Sequence, residues 1–163
     1  MDSDPSDRLA LVTQLAERLT RRGWWLVCAE SCTGGGIAAA LTDLAGSSAW
    51  FDRGFVTYSN QAKQDMLGVA AETLARHGAV SRETAVEMAR GALARSNAQL
   101  SVAVTGIAGP SGGTPDKPVG TVWLAWADEQ GVSATCERFP GDRARVRAAT
   151  IDAALDGLLE RLR

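Results

Sequence analysis

"WWLVCAESCTGGGIAAALTDLAG", residues 24–46, runs from an apolar stretch through a serine, a cysteine and three glycines into a second apolar stretch that stops at Gly46. Residues 24–29 are short, continuous and apolar, the pattern of a buried strand. From about 33 to 45, Ile37, Leu41 and Leu44 recur at helical spacing and a glycine follows, as at helix exits. A buried strand that turns sharply into a helix opens a β–α unit, which points to the α/β class.

The flanking chain repeats the alternation. Asp4 before Pro5 reads as an N-cap with proline at the first helical position, and Leu9, Val12, Leu15, Ala16 and Leu19 form a stripe that ends at Gly23. "FDRGFVTYS" (51–59) reads as a second strand, and short helices fill 60–77. Ser81 caps a firmer helix through about 96, with Val86, Ala89 and Leu93 inward. "LSVAVTG" (100–106) has the strongest strand pattern and enters the loop "GIAGPSGGTPDKP" (106–118), whose glycines and prolines exclude a regular element. "VGTVWLAWA" (119–127) and "VSATCERF" (132–139), separated by a turn around Gly131, are expected to be antiparallel neighbours. Asp142 caps a last helix with Val146, Ile151, Leu155, Leu158 and Leu162 on one face. The expected architecture is a three-layer α/β/α sandwich on a mixed sheet.

Bulk properties narrow the function. The 163 residues suffice for one domain with its own core. A net charge of −2 advertises no cationic surface for nucleic acid or anionic lipid. No apolar run approaches the ~20 residues that span a bilayer, and the acidic, polar start "MDSDPSDRLA" is unlike a secretory signal. Cys28, Cys32 and Cys136 are odd in number and lack C-x-x-C spacing, so neither a disulfide framework nor a zinc knuckle is expected. The His, Cys and acidic residues show no ligand spacing, and no metal is expected. A cytoplasmic protein with reduced thiols follows.

Of 17 cationic side chains only Lys63 and Lys117 are lysines. Arginine cannot give up its proton, whereas a buried lysine can become a neutral base. Ser31 stands at the strand-to-helix corner, where amides of residues 32 to 35 would hold a developing oxyanion; a plain N-cap is the competing reading. Cys32 reads as a packing thiol. "TYSNQAK" (57–63) puts the sole tyrosine, Tyr58, at a strand end and Lys63 one helical turn beyond it. Lys63 would serve Ser31 as base if burial lowered its pKa, with Tyr58 relaying the proton or holding the amine; a solvated surface lysine is the alternative. His77, before Gly78, reads as a helix terminus, and Lys117 as a loop charge. The loop after 105 lies at a strand's carboxyl end, where ligands of open α/β sheets bind, but it matches no nucleotide motif. "GDRARVR" (141–147) offers arginines for an anion, and the five tryptophans read as core or interface.

Six segments in this order, "AESCTGGG", "GFVTYSNQAK", "GAVS", "TGIAGP", "KPVGTVW" and "GDR", resemble the CinA C-terminal domain family over about residues 8 to 160. The resemblance implies a mixed five-stranded sheet in an α/β/α sandwich, and an amidohydrolase that converts nicotinamide mononucleotide to nicotinic acid mononucleotide and ammonia without a cofactor. It places the nucleophile on Ser31, the base on Lys63 and the motif tyrosine on Tyr58. Substrate contacts are expected at Cys32, Thr33, Gly34, Gly35 and Asn60, with phosphate recognition by Thr105, Gly106 and Arg143 or Arg147. It also implies a homo-oligomer, a dimer first, and the form without the extra N-terminal domain that many members carry. Two other functions compete: a nucleotide-binding regulatory module that needs neither Ser31 nor Lys63, and a Ser/Lys peptidase or β-lactam-type acylase. The second is disfavoured because S-x-x-K would need lysine at position 34, which is Gly34.

Overall fold

The computed structural model describes residues 4–163; the first three residues of the acidic start lie outside the described residues. Helix α1 (Pro5–Arg22) leads into β1 (Leu26–Glu30) and α2 (Gly36–Thr42). A 3₁₀ turn (Ser47–Ala49) precedes β2 (Phe51–Val56), followed by α3 (Asn60–Leu67), α4 (Ala71–His77) and α5 (Arg82–Ala94). Strands β3 (Leu100–Gly106), β4 (Thr121–Asp128) and β5 (Gly131–Arg138) then lead to α6 (Arg143–Arg161). The sheet order is β2-β1-β3-β4-β5. β1 runs parallel to both β2 and β3, and β4 and β5 are antiparallel additions, so the sheet is mixed and five-stranded as expected.

Alternation along the strands sorts side chains by size. Leu26, Cys28, Leu100, Val102, Val104, Val122, Leu124 and Trp126 face α1, α2 and α6. The opposite face carries Val27 and four alanines, Ala29, Ala103, Ala125 and Ala127, and packs against α5. Small residues there let α5 lie close, and α5 answers with Ala85, Met88, Ala89 and Ala92. This rotates the helix from the expected inward set: Ala89 is buried, whereas Val86 and Leu93 are only half-buried on the flanks. Gly91 continues the close packing toward α3, since a Cβ there would stand 2.0 Å from the Leu67 carbonyl oxygen.

Terminal signals hold at the helix ends. The Asp4 carboxylate accepts from the Ser6 amide at 3.0 Å, Ser81 Oγ from Thr84 at 3.2 Å, and Asp142 from Arg145 at 3.0 Å. Helix α2 is shorter than the expected 33–45. Gly34 and Gly35 adopt φ of 58° and 101°, a left-handed turn that side-chain-bearing residues avoid, and the helix begins only at Gly36. None of the described helices is long and apolar enough to cross a membrane.

Candidate active site

The nucleophile corner is built by one extra residue of strand geometry. Ser31 continues the β1–β3 ladder through its amide, which donates to Val104 O at 3.2 Å. Alternation therefore turns the Glu30 side chain to the α2 face and Ser31 to the α3–α5 face. On that second face lies Lys63, paired with Leu67 on the buried side of α3. Ser59 caps α3, its Oγ accepting from the Ala62 amide at 3.0 Å.

Lys63 is only 1% exposed and Ser31 8%. Lys63 Nζ lies 3.0 Å from Ser31 Oγ, 2.9 Å from Thr57 O and 3.4 Å from Tyr58 O. No carboxylate neutralises the amine among the described residues. Burial therefore lowers its pKa, opposed only by the neighbouring Cys32 sulfur. That opposition is weak at neutral pH, because burial pushes the Cys32 thiol up to about 11 and keeps it uncharged. A neutral amine has two N–H bonds and one lone pair. The two carbonyls take the N–H bonds, which leaves the lone pair for the Ser31 hydroxyl proton. The arrangement can remove a proton from Ser31.

Glu30 is the residue that sequence reasoning missed. Its carboxylate is fully buried, with no cationic partner among the described residues. It accepts from Thr33 Oγ1 at 2.6 Å and from the Ile37 and Ala38 amides at 2.8 and 3.0 Å, and Cys28 Sγ lies 3.6 Å away. The free amides at the start of α2 are thus directed at Glu30. The turn spends two more, with Gly34 N–H donating to Ser31 O and Gly36 N–H to Thr33 O, both at 3.0 Å. Of the expected oxyanion amides of residues 32 to 35, that of Gly34 is thus taken by the turn. An acid ending an apolar strand, seven residues before a glycine-led helix is under way, was the available signal.

A cavity of about 310 Å³ opens over the pair. Of the residues singled out in the sequence, Ser31, Cys32, Tyr58, Asn60, Lys63, Thr105, Gly106 and Arg143 line it, and Ala79, Val80, Ile107 and Ala108 add an apolar wall. Among the described residues no acidic side chain lines it. Thr105 Oγ1 donates to Ala79 O at 2.8 Å, tying that wall to β3. Thr33, Gly34, Gly35 and Arg147 lie outside the lining, against expectation: Thr33 is fully buried on Glu30, the two glycines make the turn, and Arg147 is bonded to backbone. Tyr58 meets Lys63 through its carbonyl and not its phenol. The ring is 60% exposed, and its hydroxyl accepts from Arg143 Nη2 at 2.9 Å, while Arg143 Nη1 donates to Gly109 O at 2.9 Å. Among the described residues, then, Arg143 enters the cavity mouth bonded to a carbonyl and a hydroxyl and to no carboxylate. His77 ends α4 on the surface, where its carbonyl accepts from Lys117 Nζ at 2.7 Å. Among the described residues no three His, Cys, Asp or Glu side chains converge as a metal site.

Residues 8–162 match the family model described as the CinA C-terminal domain. A nicotinamide-nucleotide amidohydrolase PncC of Pseudomonas putida is 54% identical over 157 residues, covering 96% of this chain and 97% of that protein. The protein of the same name from Enterobacter agglomerans is 53% identical over 154 residues, covering 94% and 92%. The crystal structure of the competence/damage inducible protein CihA from Agrobacterium tumefaciens superposes with a TM-score of 0.94 at 52% identity, covering 98% of each chain. By sequence and by fold, the chain belongs to the CinA C-terminal domain family.

Proposed function

We propose that the chain is a nicotinamide-nucleotide amidohydrolase that deamidates nicotinamide mononucleotide to nicotinic acid mononucleotide and ammonia through an acyl-enzyme. The near full-length relatives named for this activity supply the substrate. The observation that carries the chemistry is Lys63 Nζ, buried without a counter-ion, 3.0 Å from Ser31 Oγ.

Neutral Lys63 takes the Ser31 proton as Oγ attacks the carboxamide carbon. The C=O π pair moves to oxygen, and the oxyanion rests on backbone amides that follow Ser31, that of Cys32 among them. Collapse breaks the C–N bond while Lys63 protonates the nitrogen, and ammonia leaves. Lys63 then takes a proton from water, the oxygen attacks the ester carbon, and Ser31 departs with the returned proton to leave the free acid. The pyridinium ring, itself cationic, favours the uncharged amine beside it. Ala79, Val80, Ile107 and Ala108 offer that ring an apolar wall, and Asn60 a polar contact. Arg143, with Thr105 and Gly106, receives the 5′-phosphate at the mouth. The reading takes the 163 residues as one catalytic domain, working as a cytoplasmic homodimer with no nucleic-acid or membrane partner.

Ammonia release from nicotinamide mononucleotide, measured against a Ser31→Ala control, tests the assignment. Release that depends on Ser31 is expected. Binding of the nucleotide with no release above the control would replace the amidase with a non-catalytic nucleotide-binding module.

A further inference from the structure

We infer that the site holds its acid product as an ion pair, with the buried Lys63 as ammonium and the product carboxylate as its counter-ion, so that inhibition by product is linked to proton uptake. This rests on the acyl-enzyme reading above and adds a regulation of the same site. Lys63 is 1% exposed, and the oxygens around Nζ are the Ser31 hydroxyl and the carbonyls of Thr57 and Tyr58. None carries a charge at neutral pH. The titratable groups nearby leave the place of an anion empty among the described residues. Cys32, at the β1–α2 corner, stays a thiol because burial pushes it up to about 11. Glu30 points to the other face of β1, where the Ile37 and Ala38 amides hold it. On α5, which packs against α3, Glu87 accepts from the Ala70 amide at 2.9 Å and Glu83 stands 3.8 Å from His77. Asp65, on α3 itself, accepts from Gln61 Nε2 at 2.8 Å, and β3 offers no titratable side chain. Arg143, from α6, brings a second cation to the mouth.

Substrate and product differ at one group, and it is the group that meets Lys63. The reacting carbon is bonded to Ser31 Oγ, which lies 3.0 Å from Nζ, so the released acid is formed against the amine. Its proton passes from the carboxyl oxygen to the Nζ lone pair. One O–H bond breaks, one N–H bond forms, and carboxylate then faces ammonium. A carboxamide carries no negative charge and leaves the amine neutral. An anion in this place favours the charged amine and so opposes the burial that lowers its pKa in the free protein. Acid that arrives from solution is already ionised, and its binding draws one proton from water onto Lys63. Between the pKa of the free amine and that of the product complex, affinity for the acid falls by up to about tenfold for each unit rise in pH. Affinity for the amide carries no such proton. Low pH therefore slows the reaction twice, by protonating the base and by tightening the product.

Binding of nicotinic acid mononucleotide and of nicotinamide mononucleotide, compared from about pH 6 to about 10, tests the inference. Ki of the acid and KM of the amide come from ammonia release by wild type, and Kd of each from calorimetry on Ser31→Ala, which binds without turnover. The 5′-phosphate titrates in both nucleotides, so the ratio of acid to amide constants isolates the carboxyl group. That ratio is expected to rise with pH by up to about tenfold per unit. Calorimetry in buffers of different ionisation enthalpy is expected to find about one more proton taken up with the acid than with the amide. In Ser31→Ala/Lys63→Met that difference disappears. A ratio that stays flat across the range, equal proton uptake by the two nucleotides, or a difference that survives the loss of Lys63 overturns the inference. If the double variant fails to fold, the pH slope of the wild-type ratio decides alone. A wild type that releases no ammonia removes the acyl-enzyme reading, and this inference with it. A wild type that releases ammonia with a pH-independent ratio removes this inference alone.

Discussion

Lys63 Nζ and Ser31 Oγ lie 3.0 Å apart, brought together by two elements that the chain forms 32 residues apart. β1 carries Ser31 to the α5 side of the sheet, and α3 turns Lys63 inward against it. The amine's other partners are the carbonyls of Thr57 and Tyr58. Thr57 is itself held to β1, its amide donating to Glu30 O at 2.8 Å. The backbone that offers the nucleophile therefore also fixes the acceptors that orient the base. An ammonium in this place would be buried with no anion among the described residues to balance it, which shifts the group toward the neutral amine.

Replacing Lys63 should separate charge from proton transfer. Lys63→Arg keeps a cation of similar reach that cannot deprotonate at working pH. Lys63→Met keeps the apolar stem alone. Both should lower kcat by about 10²–10⁴-fold, the range for loss of a general base. Ammonia release by Lys63→Arg at even a tenth of the wild-type rate would rule out the lysine as base.

The same amine gives activity and stability a shared pH dependence. Burial lowers its pKa, so kcat/KM should rise with pH and level off below the ordinary lysine range near about 10.4. For stability the sign follows from proton counting. Between the lowered native value and about 10.4 the unfolded chain holds a proton that the native state lacks, so stability rises with pH there by up to about 1.4 kcal/mol per unit. Below the native value both states are protonated and the full cost of burying the charge is present. Urea unfolding of wild type and Lys63→Met should show the wild type gaining on the variant as pH rises through that window. Parallel curves would mean that Lys63 titrates normally.

Elements with local punctuation were legible in advance, and relationships across the fold were not. Asp4 with Pro5, Ser81 and Asp142 each cap a helix within three residues of themselves, and β3 announces itself by a run dominated by β-branched and apolar residues. The corner at Ser31 was visible for the same reason. The role of Glu30 was harder to read, because its partners are amides seven and eight residues on, reached only after a left-handed glycine turn has been made. Arg147 looked like a phosphate ligand because nothing near it in sequence shows the carbonyls of Cys32 and Thr33. The rotation of α5 likewise depended on alanines that three different strands bring to one face. Even the Tyr58 contact inverted for this reason: its position near Lys63 was readable, while the choice between carbonyl and phenol was made by Arg143.

Glu30 should act as the keystone of that corner. Its carboxylate satisfies two helix amides and a threonine hydroxyl that no water can reach. In Glu30→Gln one oxygen becomes an NH₂ group facing donors, which leaves buried groups unpaired at a cost of about 2–4 kcal/mol. The melting temperature should fall by roughly 5–15 °C, and kcat should fall with it as the turn carrying Ser31 loosens. Unchanged melting of Glu30→Gln would show that the helix start is held by other means.

Gly91→Ala tests whether the spacing of helices sets the chemistry. In most helix interiors the exchange stabilises by about 0.5–1 kcal/mol, because glycine is the poorer helix former. Here the new Cβ would stand 2.0 Å from Leu67 O and 2.9 Å from Leu67 C, both backbone atoms that cannot rotate away. Helix α3 must shift, and Leu67 shares its buried face with Lys63. Overpacking of this kind costs about 1–3 kcal/mol, which outweighs the gain in propensity, so the variant should be less stable than wild type. The shift also carries Nζ away from Ser31 Oγ, and a displacement near 1 Å can cost about 10²-fold in rate. A folded Gly91→Ala protein is therefore expected to lose kcat with little change in KM, since the cavity's apolar wall and Arg143 belong to other segments. Full kcat together with higher stability would mean that α3 and α5 are not in contact at this point, and that the place of the lysine is set by something other than the glycine beneath it.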